Sequence, residues 1–220
     1  MTHDRDIREP LFAFLEERYG KVRILEEKTM GRSRADVVLV TDGVLIGVEI
    51  KSDADTYARL ARQVRDYDRY YDRNLVVAGV SHMQHIEERV PPYWGILTAE
   101  ELPDGSLDFY MARNPAPNPK LDPERRMSLL WRRELNHLLA LNEMPRYEGL
   151  GKKKVALKLL EKVAPGTLAL QVTDELFERD YTTIAEEISE YREAHGKKPK
   201  RKRAHRSGKP RARAVKPSSD

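Results

Sequence analysis

Two β-rich runs, "RADVVLV" and "VLIGVEIK", flank the tripeptide "TDG" and constrain this chain more than any other feature in it. An Asp-Gly pair between such runs predicts a hairpin with a two-residue type I′ turn at Asp42 and Gly43. Thr41 then faces Val44, and the same register sets Asp36 directly opposite Glu49, with Cβ atoms about 5 Å apart. Side chains alternate along a strand, so Glu49 and Lys51 share a face while Val48 and Ile50 point the other way. Opposed carboxylates destabilise a hairpin unless something neutralises them, so removing either is expected to leave the metal-free fold as stable or slightly more so. A divalent cation would neutralise them, since two carboxylates and water supply oxygen ligands suited to Mg²⁺ (or Mn²⁺). Lys51 would then stabilise developing negative charge or position an attacking water. Metal-assisted phosphodiester hydrolysis needs that arrangement.

The flanking segments predict what carries the hairpin. "DIREPLFAFLEERYG" places Ile7, Leu11, Phe14 and Leu15 on one helical face and ends at Gly20, with Asp6 and Glu9 spaced as a capping box and Pro10 near the start. "KVRILEEK" alternates as a strand. After "EIK" comes a helix N-capped by Ser52 or Asp53, with Leu60, Val64, Tyr67 and Tyr71 on its apolar face. "NLVVAGVS" reads as a buried strand, "HMQHIEERV" as a short helix and "YWGILTA" as a last strand. A hairpin combined with a crossover predicts an α/β fold, a mixed sheet flanked by helices, over residues 1–112. The Pro-rich segment 113–121 reads as a linker. "ERRMSLLWRRELNHLLALN", "KKKVALKLLEKVA", "TLALQVTDELFER" and "TTIAEEISEYREA" are amphipathic and predict a small helical domain over 122–194, with Leu130, Trp131, Leu135 and Leu138 as helical core.

The order Asp36, then Glu49-Ile50-Lys51, on a hairpin preceded by a helix and a strand, resembles the PD-(D/E)XK nuclease superfamily. Ala35 stands where the motif's name has Pro. "QVRDY", Gln63 to Tyr67, resembles the Gln-x-x-x-Tyr helix of RecB-like members. "DIR", "GRSRADVVLV", "EIKSDADT", "YDR" and "LLWRRE" extend the resemblance to an uncharacterised bacterial and phage group of small nuclease-like proteins. The resemblance implies a restriction-endonuclease-like αβββαβ core. It also implies the Ile50 carbonyl as a third metal ligand, Gln63 orienting water or DNA, and an acid from the first helix joining the metal. Glu9 suits that last role by position and Asp6 is the alternative, although a capping box accounts equally well for either.

The chain of 220 residues has no cysteine, which excludes disulfides and thiolate zinc sites, and no apolar run long enough to span a bilayer. "MTHDRDIREP" is not a signal peptide, so a cytoplasmic protein is expected. Net charge is +4, yet eleven Lys or Arg fall between Ala194 and Asp220 against one acid, so the rest of the chain is net negative. Residues 195–220 are expected to form a disordered basic tail able to contact phosphate. Arg32 and Arg34 precede the hairpin and either hold a phosphate or are solvated. Lys152 and Lys153, in "EGLGKKK", do not satisfy a phosphate-loop pattern and cover a helix N-terminus, where a phosphate contact remains open. With Tyr67, these four complete the expected DNA contacts. His82 and His85 lack a neighbouring acid and read as a surface helix start. The expected activity is Mg²⁺-dependent deoxyribonuclease in prokaryotic or phage DNA metabolism. The alternatives are a non-catalytic DNA-binding module or a scaffold subunit on the same fold, with the helical region binding a protein partner or self-associating.

Overall fold

A computed structural model of the chain describes residues 4–52 and 55–179. Its centre is a six-stranded sheet in sequential order, β1 (Arg23–Met30), β2 (Ser33–Val40), β3 (Leu45–Lys51), β4 (Arg73–Gly79), β5 (Gly95–Glu101) and β6 (Leu107–Arg113). The first three strands form an antiparallel meander, β3, β4 and β5 run parallel, and β6 returns antiparallel. The sheet is therefore mixed, as the sequence predicts. β6 is an addition to that prediction. Its strict alternation of half-buried and exposed residues is that of an edge strand packed on one face only.

The two faces carry separate cores. On one, α1 (Asp4–Tyr19) lays Ile7, Leu11 and Leu15 against Val37, Leu39, Ile46, Val48 and Val77. Gly20, at φ +72°, ends this helix by donating its N–H to Glu16 O. Asp6 lies inside the helix rather than at its cap, and Pro10 sits in the second turn. On the other face lie α2 (Leu60–Tyr70), α3 (Met83–Arg89), α4 (Pro123–Met127), α5 (Arg132–Leu141), α6 (Lys152–Lys162) and α7 (Pro165–Glu178). Leu60, Val64, Tyr67, Trp94, Leu135, Val155 and Leu176 belong to that one cluster. The helices after residue 122 thus share the sheet's core, and Met1–Arg179 is one compact unit rather than two domains and a linker. Segment 113–121 is correspondingly tied down. Asn118 donates its side-chain amide to Asp68 O and Tyr71 O, at 2.7 and 2.8 Å. The last expected helix and the basic tail lie outside the described residues.

Three local departures have physical causes. α2 starts later than expected because Asp55 Oδ2 accepts from Ser52 N and Oγ, and a 3₁₀ turn (Tyr57–Arg59) precedes it. The long helix expected from "ERRMSLLW" breaks between α4 and α5. Trp131 is extended there as N-cap, and its N–H donates to Glu134 Oε2 at 2.6 Å. The β2–β3 turn keeps the expected register, with Thr41 N–H on Val44 O at 3.0 Å. It is not type I′, because only Gly43 has positive φ (+72°) and Asp42 avoids the left-handed cost. Tertiary contacts fix this turn instead. Gly43 N–H donates to Thr173 Oγ1 of α7, and Arg126 of α4 reaches Gly43 O and Asp72.

Candidate active site

The hairpin ladder stops where the candidate residues begin. Regular pairing runs from Val40↔Leu45 to Val37↔Val48 and then ends, so Asp36 and Glu49 are not a ladder pair. Two side chains fill the fork. Asp36 Oδ2 accepts the Ile50 N–H at 2.9 Å, in place of a backbone partner. The Tyr67 hydroxyl, from α2, donates to Val48 O at 2.9 Å and accepts the Asp36 N–H at 3.2 Å. Tyr67 can lie this close only because β3 carries Gly47 beneath it. A Cβ there would come within 2.3 Å of the Tyr71 ring and 2.6 Å of the Tyr67 ring.

Helix α2 grips the meander at successive turns. Gln63 Nε2 donates to Glu49 Oε1, Asp66 Oδ2 accepts from Ser33 Oγ, Tyr67 bridges the fork, and Tyr70 Oη accepts from Gly31 N–H at 3.0 Å. These positions, i, i+3, i+4 and i+7, form one stripe of a helix. Gln63 and Tyr67 are thereby positioning groups. Tyr67, expected to meet DNA, is fully buried with its hydroxyl spent inside the fork, so it cannot reach a ligand. Burial, and then the nearby Glu49 and Asp36, push its phenol well above the usual tyrosine range.

Glu49 is the electrostatic centre. It has no exposed surface, and Oε1 takes both the Gln63 amide and the Lys51 ammonium, the latter at 2.6 Å. Burial raises its pKa above the usual 4.5, while Lys51 pulls the other way. Among the described residues Oε2 finds no hydrogen-bond partner although it is buried, and neither does Oε1 of Gln63. The repulsion expected between Asp36 and Glu49 is therefore already met, by the Ile50 N–H on one side and Lys51 on the other. What remains unmet is a pair of buried acceptor oxygens. Leaving such atoms bare costs about 1–3 kcal/mol each, and only a donor or a cation relieves it.

Asp36, Glu49, Ile50, Lys51 and Gln63 all line one open cleft. Arg32 and Arg34 line it too, Arg34 paired with Glu27 at 2.9 Å. Glu27 adopts φ +51°, a strained conformation for a non-glycine residue, at the cleft wall. Glu9 does not join the cleft. It is exposed on α1, and Arg8, one helical step away, lines the cleft instead, held by Glu26 at 2.8 Å. Asp6 is likewise exposed and absent from the lining. Among the described residues no group of three or more His, Asp or Glu side chains gathers as a metal site. Lys152 and Lys153 lie elsewhere, in a second cleft beside α4, on Ser128 O and Glu124 respectively. His82 is half-buried, its Nε2 against Ser52 O.

The family profile described as "Bacteriophage P4 protein cII" matches residues 11–199. The chain belongs to that family. The match spans the fork, every residue lining its cleft except Arg8, and α4–α7. No curated protein sequence matches significantly. Among solved structures, Pyrococcus furiosus SfsA in complex with Ca²⁺ overlays with a TM-score of 0.32 at 15% identity. The overlay covers 48% of this chain and 60% of that one, and a likeness that loose carries no inference. Among the described residues no helix is long and apolar enough to cross a membrane.

Sequence reasoning overlooked Arg59 and Arg62 on the cleft rim. Their signal was available, since both precede Gln63 within one turn of the helix that supplies it.

Proposed function

We propose that this family member hydrolyses DNA phosphodiester bonds with a divalent cation, Mg²⁺ or Mn²⁺, in the manner of the PD-(D/E)XK nucleases its motif resembles. The observation that carries this reading is Glu49 Oε2, a buried carboxylate oxygen with no donor among the described residues, and Gln63 Oε1 in the same condition. An all-oxygen set of Asp36, Glu49 and the Ile50 carbonyl suits a hard cation and would hold it. The cation, when bound, would lower the pKa of a water and neutralise charge on the phosphate. Gln63 and Lys51 hold Glu49 in place on two rigid elements. Lys51, only 5% exposed, keeps an ammonium where negative charge would build during displacement. The exposed arginines Arg32, Arg34, Arg59 and Arg62 surround this acidic centre and suit a polyanionic backbone.

The test is incubation of the purified chain with supercoiled, linear and single-stranded DNA, and with RNA, in Mg²⁺, Mn²⁺ or EDTA. Calorimetric metal titration accompanies it. Cleavage should require metal, and Asp36→Asn and Glu49→Gln should abolish both cleavage and metal binding. Lys51→Met should abolish cleavage alone. A wild type that binds DNA but cleaves nothing in either metal would favour the non-catalytic DNA-binding module.

A further inference from the structure

The catalytic cleft and the second cleft are joined by one helix. Arg59 and Arg62 line the first, at the start of α2, and Arg69 lines the second, at its end. Arg62, Arg65 and Arg69 are all exposed, and their i, i+3, i+7 spacing puts them on one stripe of α2, opposite the buried Leu60, Val64 and Tyr67. Asp66, the carboxylate beside that stripe, is turned to Ser33. Arg59, Arg62 and Arg65 carry no ion-pair partner among the described residues. At the far end Arg69, Arg125, Lys152 and Lys153 line the second cleft with two acids, Asp122 and Glu124, an excess of positive charge. The described residues therefore present a continuous basic strip, although the body of the chain outside its tail is net negative. A solvated helix face needs no such segregation of sign.

We infer that the outer face of α2 is a track for a nucleic-acid strand, whose phosphates run from Arg62 over Arg65 to Arg69 and into the cleft between α2, α4 and α6. Seven helical residues advance about 10 Å, enough to meet more than one phosphate of a strand. The contacts are to backbone charge, so the track is indifferent to sequence. It rests on the nuclease reading only for what happens at the Glu49 end. Binding in EDTA tests it apart from cleavage.

The experiment is fluorescence anisotropy of the full chain with labelled single-stranded oligonucleotides and a duplex, in EDTA, across a salt series. Arg65→Ala with Arg69→Ala should weaken binding and flatten the log–log salt slope by about 1.4 on single strands or about 1.8 on duplex. Lys158→Ala with Lys162→Ala removes equal charge from the far end of α6 and should leave the slope unchanged. Arg69 also pairs with Asp122, at 3.1 Å, so Arg65→Ala alone serves as a variant that breaks no ion pair among the described residues. It should flatten the slope by about half as much. An unchanged slope in the Arg65 and Arg69 variants, an equal loss in the Lys158 and Lys162 control, or no binding by the wild type would each overturn the track. If the track variants behave as expected and the wild type never cleaves with Mg²⁺ or Mn²⁺, the track stands and the catalytic reading falls.

Discussion

Glu49→Gln should destabilise the metal-free protein strongly, and Lys51→Met should partly share the effect. The two side chains are 1% and 6% exposed and 2.6 Å apart, so each is the other's means of being buried. Removing one member of such a pair costs about 3–5 kcal/mol, whereas replacing both by neutral groups of similar shape costs little. For a folded unit of this size about 1 kcal/mol shifts Tm by roughly 2–4 °C, so Glu49→Gln should lower Tm by roughly 10 °C. The double variant should recover most of it, giving a coupling energy of about 3 kcal/mol. The singles should also differ from each other. Without Lys51, the Glu49 carboxyl, already raised by burial, can take up a proton, so the Lys51→Met loss should shrink on going from about pH 7 to about pH 5. The assay is urea unfolding of all four proteins in EDTA at both pH values. Additive losses, or a Glu49→Gln protein as stable as wild type, would refute this account. The second result is what opposed, uncompensated carboxylates would have produced.

Tyr67→Phe should cost about 1–3 kcal/mol, because it strips the hydroxyl from one buried and one half-buried backbone group, and should weaken Mn²⁺ binding by releasing Asp36 from the fork. Urea melts and metal titration check it, and unchanged metal affinity would show that the hydroxyl does not place the carboxylate. Gly47→Ala forces a methyl into the Tyr67 and Tyr71 rings and should cost about 1–3 kcal/mol or more, with a changed near-ultraviolet tyrosine signal. A neutral effect would mean those rings do not pack as described. The raised Glu49 pKa makes protons and metal compete, so Mn²⁺ affinity should begin to fall at a pH above 4.5 as acid is added. The apo protein has the opposite trend from this group. Its stability contribution is fully present below 4.5 and is lost as pH rises through the raised value. Metal affinity that holds flat until the pH drops below 4.5 would contradict the burial argument.

The hairpin register was legible because a two-residue loop leaves one way to pair the runs around it, and Val37↔Val48 follows from Thr41 and Val44. The gathering of Asp36, Glu49, Lys51 and Gln63 in one cleft followed from that register and the motif order. The fork did not, because it depends on a tyrosine hydroxyl arriving from 31 residues away. Nor did the replacement of Glu9 by Arg8, since one residue on a helix turns the side chain by about 100° and apolar spacing fixes the phase only loosely. The break at Trp131 was hidden because apolar periodicity runs straight through "SLLW". The shared core of sheet and helices was hidden by a Pro-rich segment that looks like a linker and is held by Asn118.

The stripe by which α2 holds Ser33, Val48, Asp36, Glu49 and Gly31 sets how the gene can change length here. One residue added within α2 upstream of Gln63 would rotate Gln63, Asp66, Tyr67 and Tyr70 together by about 100° relative to Leu60, and all four would leave their strand partners at once. One residue added between Asp42 and Gly43 would lengthen a surface turn and leave Val37 still facing its old partner, at the expense of the Thr173 and Arg126 contacts. Length variation among relatives should therefore collect at the turn and spare the helix, whatever the residues themselves do.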